Sequence, residues 1–280
     1  MKLFSIEGNR QHLDGGAMFG NAPKALWERW AKPDANNRIP LATRALLLQT
    51  ADGRHILFEA GVGAFFEPKL RERYGIEPAE HLLLENLKAA GVQEEDIDIV
   101  ILSHLHFDHA GGLLSAFGEG EPRLHFPNAK YYVGKEHWER AQAPHSREKA
   151  SFVPLLNQLL KDSGRLHFVE GSSHPELDFG VSFHYVHGHT VGLMISILEC
   201  PDGPLAFVSD LIPGKAWMHL PIAMGYDRFA ELLVDEKKTF LKMIAEKGGS
   251  LFFTHDPEID FVRVIDDVKG GYAGVKNFPL

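Results

Sequence analysis

The 280-residue chain has a single cysteine, Cys200. No internal disulfide can form and no thiolate cage can hold a metal ion, and the lack of disulfides fits a reducing compartment. The chain also lacks positive charge in excess: 29 Lys and Arg stand against 38 Asp and Glu, a formal net charge of −9. Recognition of a phosphate backbone needs a basic surface, so nucleic acid is not an expected partner. No apolar run approaches the ~18 residues of a membrane helix. Glu7 and Arg10 fall where the apolar core of a secretion signal would continue. A cytoplasmic protein with no membrane partner is expected. Long Pro/Gly/Ser linkers and low-complexity tracts are missing as well, so residues 1–280 read as one domain, with an N-terminal extension over 1–40. What the chain has in quantity is histidine, 16 residues.

The hydrophobic pattern alternates strands with helices. Residues 42–50 and 54–59 read as strands joined by the Asp52-Gly53 turn. Pro78 is read as opening a helix that Gly91 stops, and 97–102 is apolar enough for a buried central strand. Further strands are expected at 131–133, 166–169, 181–186, 193–198, 205–208 and 251–253. Helices are expected from 135, over 154–160 and over 228–247. A faint repeat is visible: strand, Asp52-Gly53, strand, Glu59 in the first half, and strand, Asp202-Gly203, strand, Asp210 in the second. Two similar β/α halves suggest an α/β (α+β) fold of two mixed sheets with helices outside, an αββα sandwich.

The chemistry concentrates in Ser103-His104-Leu105-His106-Phe107-Asp108-His109-Ala110-Gly111-Gly112. Four metal-ligand types follow an apolar strand within six residues. His104 and His106 are two apart and point the same way in extended backbone. Asp108 and His109 lie where the chain must turn, so they can aim at a neighbouring point. This suggests two adjacent cations, and ionisable groups at the end of a core strand would otherwise carry a desolvation cost. Three later segments repeat the pattern of apolar strand then ligand: His187-Gly188-His189-Thr190, Ser209-Asp210 and Thr254-His255.

On these residues the chain resembles the metallo-β-lactamase superfamily, from about Ala42 to about Pro257. The HxHxDH string is complete at His104, His106, Asp108 and His109, and Gly188-His189-Thr190-Val191-Gly192 is similar to the context of the family's third histidine. Within the superfamily, the Ser103–Gly112 segment, Leu13–Gly20 and Met224–Asp227 resemble the N-acyl-homoserine-lactone lactonases and their organophosphate-hydrolysing relatives. The resemblance implies the superfamily's four-layer αββα sandwich and two divalent ions, zinc ahead of iron, cobalt or manganese. It assigns His104, His106 and His189 to one ion, Asp108, His109 and His255 to the other, and Asp210 to a bridge between them. It implies that a bridging hydroxide opens a lactone or other ester while Asp108 and Asp210 serve catalysis. Phosphotriester or thioester hydrolysis would use the same parts, and relatives of this kind suggest a homodimer.

Two departures stand out. The family's Asp-Thr/Ser-Gly turn is Glu59-Ala60-Gly61 here, so Glu59, with Thr190, is expected to support the ligands from behind. The stretch after Asp210 is Leu211-Ile212-Pro213-Gly214 and lacks the substrate-contacting Tyr of some lactonases; His219 or Tyr226 could replace it. An acyl chain needs an apolar wall. Candidates for it are Met18, Phe19, Trp27, Trp30, Phe65, Phe66, Phe107, Trp217, Met218, His219 and Met224. The Trp27–Trp30 segment is an alternative dimer interface. His12, His55, His81, His125, His137, His145, His167, His174 and His184 are expected to be solvated.

Overall fold

The computed structural model describes residues 1–266 and 271–275. They divide into two compact units, one built from 1–11 and 42–170, the other from 12–41, 171–266 and 271–275. Each contains a six-stranded mixed sheet whose strands lie side by side in chain order. Among the described residues no helix is long and apolar enough to cross a membrane.

In the first unit the sheet runs Lys2–Ile6, Ala45–Gln49, His55–Phe58, Ile97–Leu102, Lys130–Gly134, Leu166–Val169. The first three strands are antiparallel neighbours, and every later pair is parallel. The N-terminal residues are therefore not an appendage: Lys2–Ile6 is the edge strand, in register with Ala45–Gln49. Ile97–Leu102 is central and buried except at Asp98, whose carboxylate accepts the His55 N–H at 2.8 Å. Helices over Leu82–Ala89, Lys135–Gln142 and Pro154–Asp162 contribute Leu83, Leu87, Ala141, Leu156 and Leu160 to the core with Val100, Leu102, Tyr131 and Val133. Proline at the first position of the Pro154 helix supplies its fixed φ where no N–H is needed.

Pro78 does not open a helix. Asn9 Nδ2 donates to the carbonyls of Pro78 and Glu80, and Asn9 Oδ1 accepts the Leu82 N–H. That side chain holds 78–81 as a loop and satisfies an orphan donor of the helix that starts at Leu82.

The second unit repeats the plan. Its sheet runs Val181–Val186, Leu193–Leu198, Leu205–Phe207, Ser250–Phe252, Phe261–Asp266, Tyr272–Val275. As in the first unit, an antiparallel hairpin closed by Asp-Gly is followed by a parallel neighbour reached through a helix. Gly203 has φ +106, and a Cβ there would stand 2.5 Å from the Gly248 carbonyl oxygen, so only glycine fits this turn. The helix Ala230–Glu246 buries Leu233, Phe240, Leu241 and Ile244. The same face buries Lys237, whose ammonium donates to the carbonyls of Trp217, His219 and Ile222 at 3.0, 3.1 and 2.5 Å.

Three histidines expected in solvent are buried: His81, His125 and His137. His81 Nε2 and the Gly112 carbonyl are 2.9 Å apart, and its ring lies edge-on to that of His125. Burial, then the neighbouring His125, pushes its pKa down from 6.5 to about 4. The unfolded chain therefore binds a proton that the folded chain refuses between those values. This stabilisation is complete above pH 6.5 and is lost as pH falls towards 4, amounting to about 3 kcal/mol. Unfolding free energies of the protein and of His81→Gln, measured from pH 7 to 4, are expected to fall less steeply for the variant. Equal slopes would show that His81 is protonated without unfolding.

Candidate metal centre

The first unit brings the HxHxDH string to the end of its central strand. A buried loop carries His104 and His106, and the short helix Phe107–Ala110 carries Asp108 and His109. The loop folds back tightly. Ala60 N–H donates to the His109 carbonyl and Gly112 N–H to the Gly61 carbonyl, and a Cβ on Gly112 would stand 2.0 Å from the Ala60 oxygen. The Gly-Gly pair is what allows this approach.

Each imidazole here is held through one nitrogen. Glu59 Oε2 lies 2.8 Å from His109 Nδ1, and Glu59 Oε1 accepts a short hydrogen bond from the Ser103 hydroxyl. Ser103 Oγ in turn is 2.8 Å from His104 Nδ1. Glu148 Oε1 is 3.1 Å from His106 Nε2, while its other oxygen accepts from Arg140 Nε at 2.7 Å. With the ring protons on His104 Nδ1, His109 Nδ1 and His106 Nε2, the lone pairs fall on His104 Nε2, His109 Nε2 and His106 Nδ1. His137 Nε2 accepts the N–H of Leu105, fixing the backbone between the first two histidines. Glu59, His104 and His109 each offer an atom within 4.8 Å of the others, a group able to hold a metal ion. Asp108 Oδ1 is 3.7 Å from His109 Nε2, and its Oδ2 accepts from Gln11 Nε2 at 2.7 Å.

The second unit carries a matching cluster. His189 and Asp210 follow the ends of their strands, and His255 follows Phe253 and Thr254. Asp210 Oδ2 lies 3.2 Å from His189 Nε2 and Asp210 Oδ1 lies 3.2 Å from His255 Nε2. Asp227 Oδ1 lies 2.8 Å from His189 Nδ1, and its Oδ2 accepts the Met224 N–H. With the ring proton directed to Asp227, His189 Nε2 is an acceptor facing another acceptor, and such a pair needs a proton or a metal ion between them. The donor set therefore fits divalent metal: imidazole and carboxylate, with carboxylates behind the histidines. His187 Nδ1 accepts the Gly192 N–H at 3.2 Å.

Both clusters sit on strained turns. Glu59 has φ +61 and Ser209, next to Asp210, has φ +44, left-handed values that are costly for residues with a Cβ. They occupy equivalent places, just after the return strand of each Asp-Gly hairpin.

The aromatic candidates divide. Met18, Phe19, Trp27, Trp217, Met218 and Met224 belong to the second unit's core, where Phe19 stacks on Trp27 and on Trp217. Trp27, 1% exposed, is thus unavailable as an interface, whereas Trp30 is 36% exposed and stacks on the exposed His219. In the first unit Phe107 packs with Phe65, Phe66, Tyr74 and Ile76. Thr190 is buried beside His189. Sequence reasoning missed Glu148, Arg140, Ser103, His137 and Gln11, and it quoted Asp227 without seeing its contact to His189. Ser103 is adjacent to His104, a candidate ligand, and could have been found; Glu148 is 42 residues from His106 and carries no local signal.

The model of the metallo-beta-lactamase superfamily matches residues 38–255. An N-acyl homoserine lactonase from a Bacillus species is 29% identical over 239 residues, covering 79% of this chain and 83% of that protein. A Staphylococcus aureus crystal structure described as a probable metal-dependent hydrolase superposes with a TM-score of 0.86 at 26% identity, covering 99% of this chain and 98% of the other. AidC, a dizinc quorum-quenching lactonase solved with a product, superposes with a TM-score of 0.76 at 23% identity, covering 99% and 95%.

Proposed function

The chain belongs to the metallo-beta-lactamase superfamily and is a metal-dependent hydrolase, and from that premise we propose that it opens lactone rings, with N-acyl homoserine lactones as the substrate class. By the resemblance, His104, His106, Asp108, His109, His189, Asp210 and His255 would hold two divalent cations, Asp210 serving both. The observation that carries the reading is the Asp210 carboxylate, each oxygen of which stands 3.2 Å from a different imidazole Nε2. The lactonase assignment is supported by the Bacillus relative. The same reading takes zinc as the metal, the cytoplasm as the compartment and a homodimer as the assembly, the last through exposed Leu26 and Trp30.

Bound there, two such cations supply Lewis acidity, polarising an ester carbonyl and lowering the pKa of water towards neutrality. The protein's own groups do the rest. Glu59, Glu148 and Asp227 fix which nitrogen of each ring faces inward, so no reorganisation is needed during reaction. Asp108 is suited to carry a proton to the alkoxide oxygen released when the ring C–O bond breaks. Phe107, with Phe65 and Phe66 behind it, offers an apolar wall to an acyl chain.

The test is acid release from a long-chain N-acyl homoserine lactone by the zinc-loaded protein. Rapid turnover that a chelator abolishes and zinc restores is the expected result. With two ions bound and no turnover, the lactonase reading fails, and phosphotriesters and thioesters become the substrates to try.

A further inference from the structure

Gln11 stands outside every motif in the sequence, yet its side chain reaches across 97 positions to Asp108. We propose that Gln11 is a positioning residue for the Asp108 carboxylate, anchoring one oxygen so that the other is presented on the His109 side. The proposal rests on the reading of Asp108 as a metal ligand.

Three observations carry it. The first is geometric. Gln11 Nε2 donates to Asp108 Oδ2 at 2.7 Å, and the opposite oxygen, Oδ1, lies 3.7 Å from His109 Nε2. The hydrogen bond to Oδ2 opposes rotation of the carboxylate about its last bond and favours Oδ1 directed towards the imidazole nitrogen whose lone pair Glu59 sets. The second is electrostatic. The donor is a neutral amide, so it orients the carboxylate without cancelling its charge. A lysine or arginine in that place would neutralise the group that a cation needs.

The third is an imbalance. Gln11 is fully buried, and its Oε1 is buried with no hydrogen-bond partner among the described residues. Turning the amide over would set Oε1 against a carboxylate oxygen, so the observed orientation is the chemically required one. A glutamine kept for structure would satisfy both polar ends, because an unmatched buried acceptor is destabilising. Packing alone would favour an apolar side chain of the same length. The Nε2 contact is thus the polar contact this side chain makes among the described residues, and the unmatched Oε1 is a cost to the fold.

That cost separates a positioning role from a structural one. Gln11→Met keeps length and volume and removes both polar atoms. Thermal unfolding of the metal-free variant is expected at the same temperature as the parent or higher. Cobalt(II) titration of the same protein is expected to show about 10- to 100-fold weaker binding of one of two ions, with altered visible absorption for that ion and no change for the other. Gln11→Leu provides a second removal of the donor should methionine fill the space poorly, and the same loss is expected of it. Unchanged cobalt affinity and spectrum in both variants would overturn the proposal. So would a lowered unfolding temperature with intact metal binding, the mark of a structural residue. The parent protein is the control for the underlying reading: uptake of fewer than two cobalt ions by the parent would sink the two-cation centre, and the role of Gln11 with it.

Discussion

Asp210→Ala is expected to reduce kcat/KM for lactone opening by more than 100-fold. Losing an outer partner of a metal ligand typically costs ~10- to 100-fold, and Asp210 faces two imidazoles, His189 and His255, with a separate oxygen for each. Its removal would strip a ligand from both proposed cations in one step, leaving His189 only the Asp227 carboxylate on its far nitrogen among the contacts described above. The loss is expected to fall on metal content as well as on rate, so cations per chain should be counted on the purified variant alongside kinetics. Asp210→Asn distinguishes charge from shape. The amide keeps one acceptor oxygen but turns an NH2 towards the other imidazole, so one contact is preserved in form and the other reversed. A partial loss of metal with nearly complete loss of turnover is expected. Should Asp210→Ala retain activity within about tenfold of the parent, the bridging role is wrong.

The first cluster was legible because its candidate ligands are contiguous. His104 to His109 follow a six-residue apolar strand, and both the strand and the ligands can be read from local order alone. Asp210 and His255 were legible for a related reason: each follows a short apolar run. The buried strands of both sheets were found for the same cause, since fully buried strands are continuous in hydrophobicity. Lys2–Ile6 was not read, because an edge strand of alternating exposure with a lysine at its start carries a weak signal. Tyr272–Val275, an edge strand of the second sheet, was missed as well, and so was its neighbour Phe261–Asp266.

What sequence could not convey was which side of a surface a residue faces. Met18, Phe19, Trp27 and Trp217 were candidates for an apolar wall, and they are core. Aromatic residues in irregular segments satisfy either role equally well until the stacking of Phe19 between two tryptophans is visible. The scattered histidines misled in the opposite direction. His137 is buried because its Nε2 is needed by the Leu105 N–H, a partner 32 residues away. The carboxylates behind the ligands were hidden by distance too, with one exception, Glu59, whose place after the Asp52-Gly53 hairpin could be seen.

Glu59 is the residue whose replacement tests the framework rather than the ligands. Its two oxygens reach two different histidines, His109 directly and His104 through Ser103. One side chain therefore sets the ring orientation of a ligand in each assigned triplet, and Glu59→Ala is expected to weaken binding of both cations, by about 10- to 100-fold each. Glu59→Asp asks what the extra methylene does. Aspartate tolerates a φ of +61 better than glutamate, so the backbone itself would be relieved. The carboxylate, however, would draw back by ~1.5 Å, one carbon–carbon bond. That stretches the 2.8 Å contact to His109 beyond hydrogen-bond range unless the chain advances. Advance is opposed by the Ala60 N–H, which is already bonded to the His109 carbonyl, and by the Glu59 N–H bonded to Ile101. With the backbone pinned on both sides, the shorter acid is expected to bind metal more weakly than the parent and more strongly than alanine. Its unfolding temperature is expected to stay near that of the parent, because the lost contact is offset by relief at φ. Metal affinity by chelator competition and thermal unfolding of the metal-free proteins measure both quantities. If Glu59→Asp bound metal as tightly as the parent, the turn would be free to move and the longer side chain would be a neutral substitute. If it bound metal as weakly as alanine, the methylene is what lets this turn reach both histidines at once.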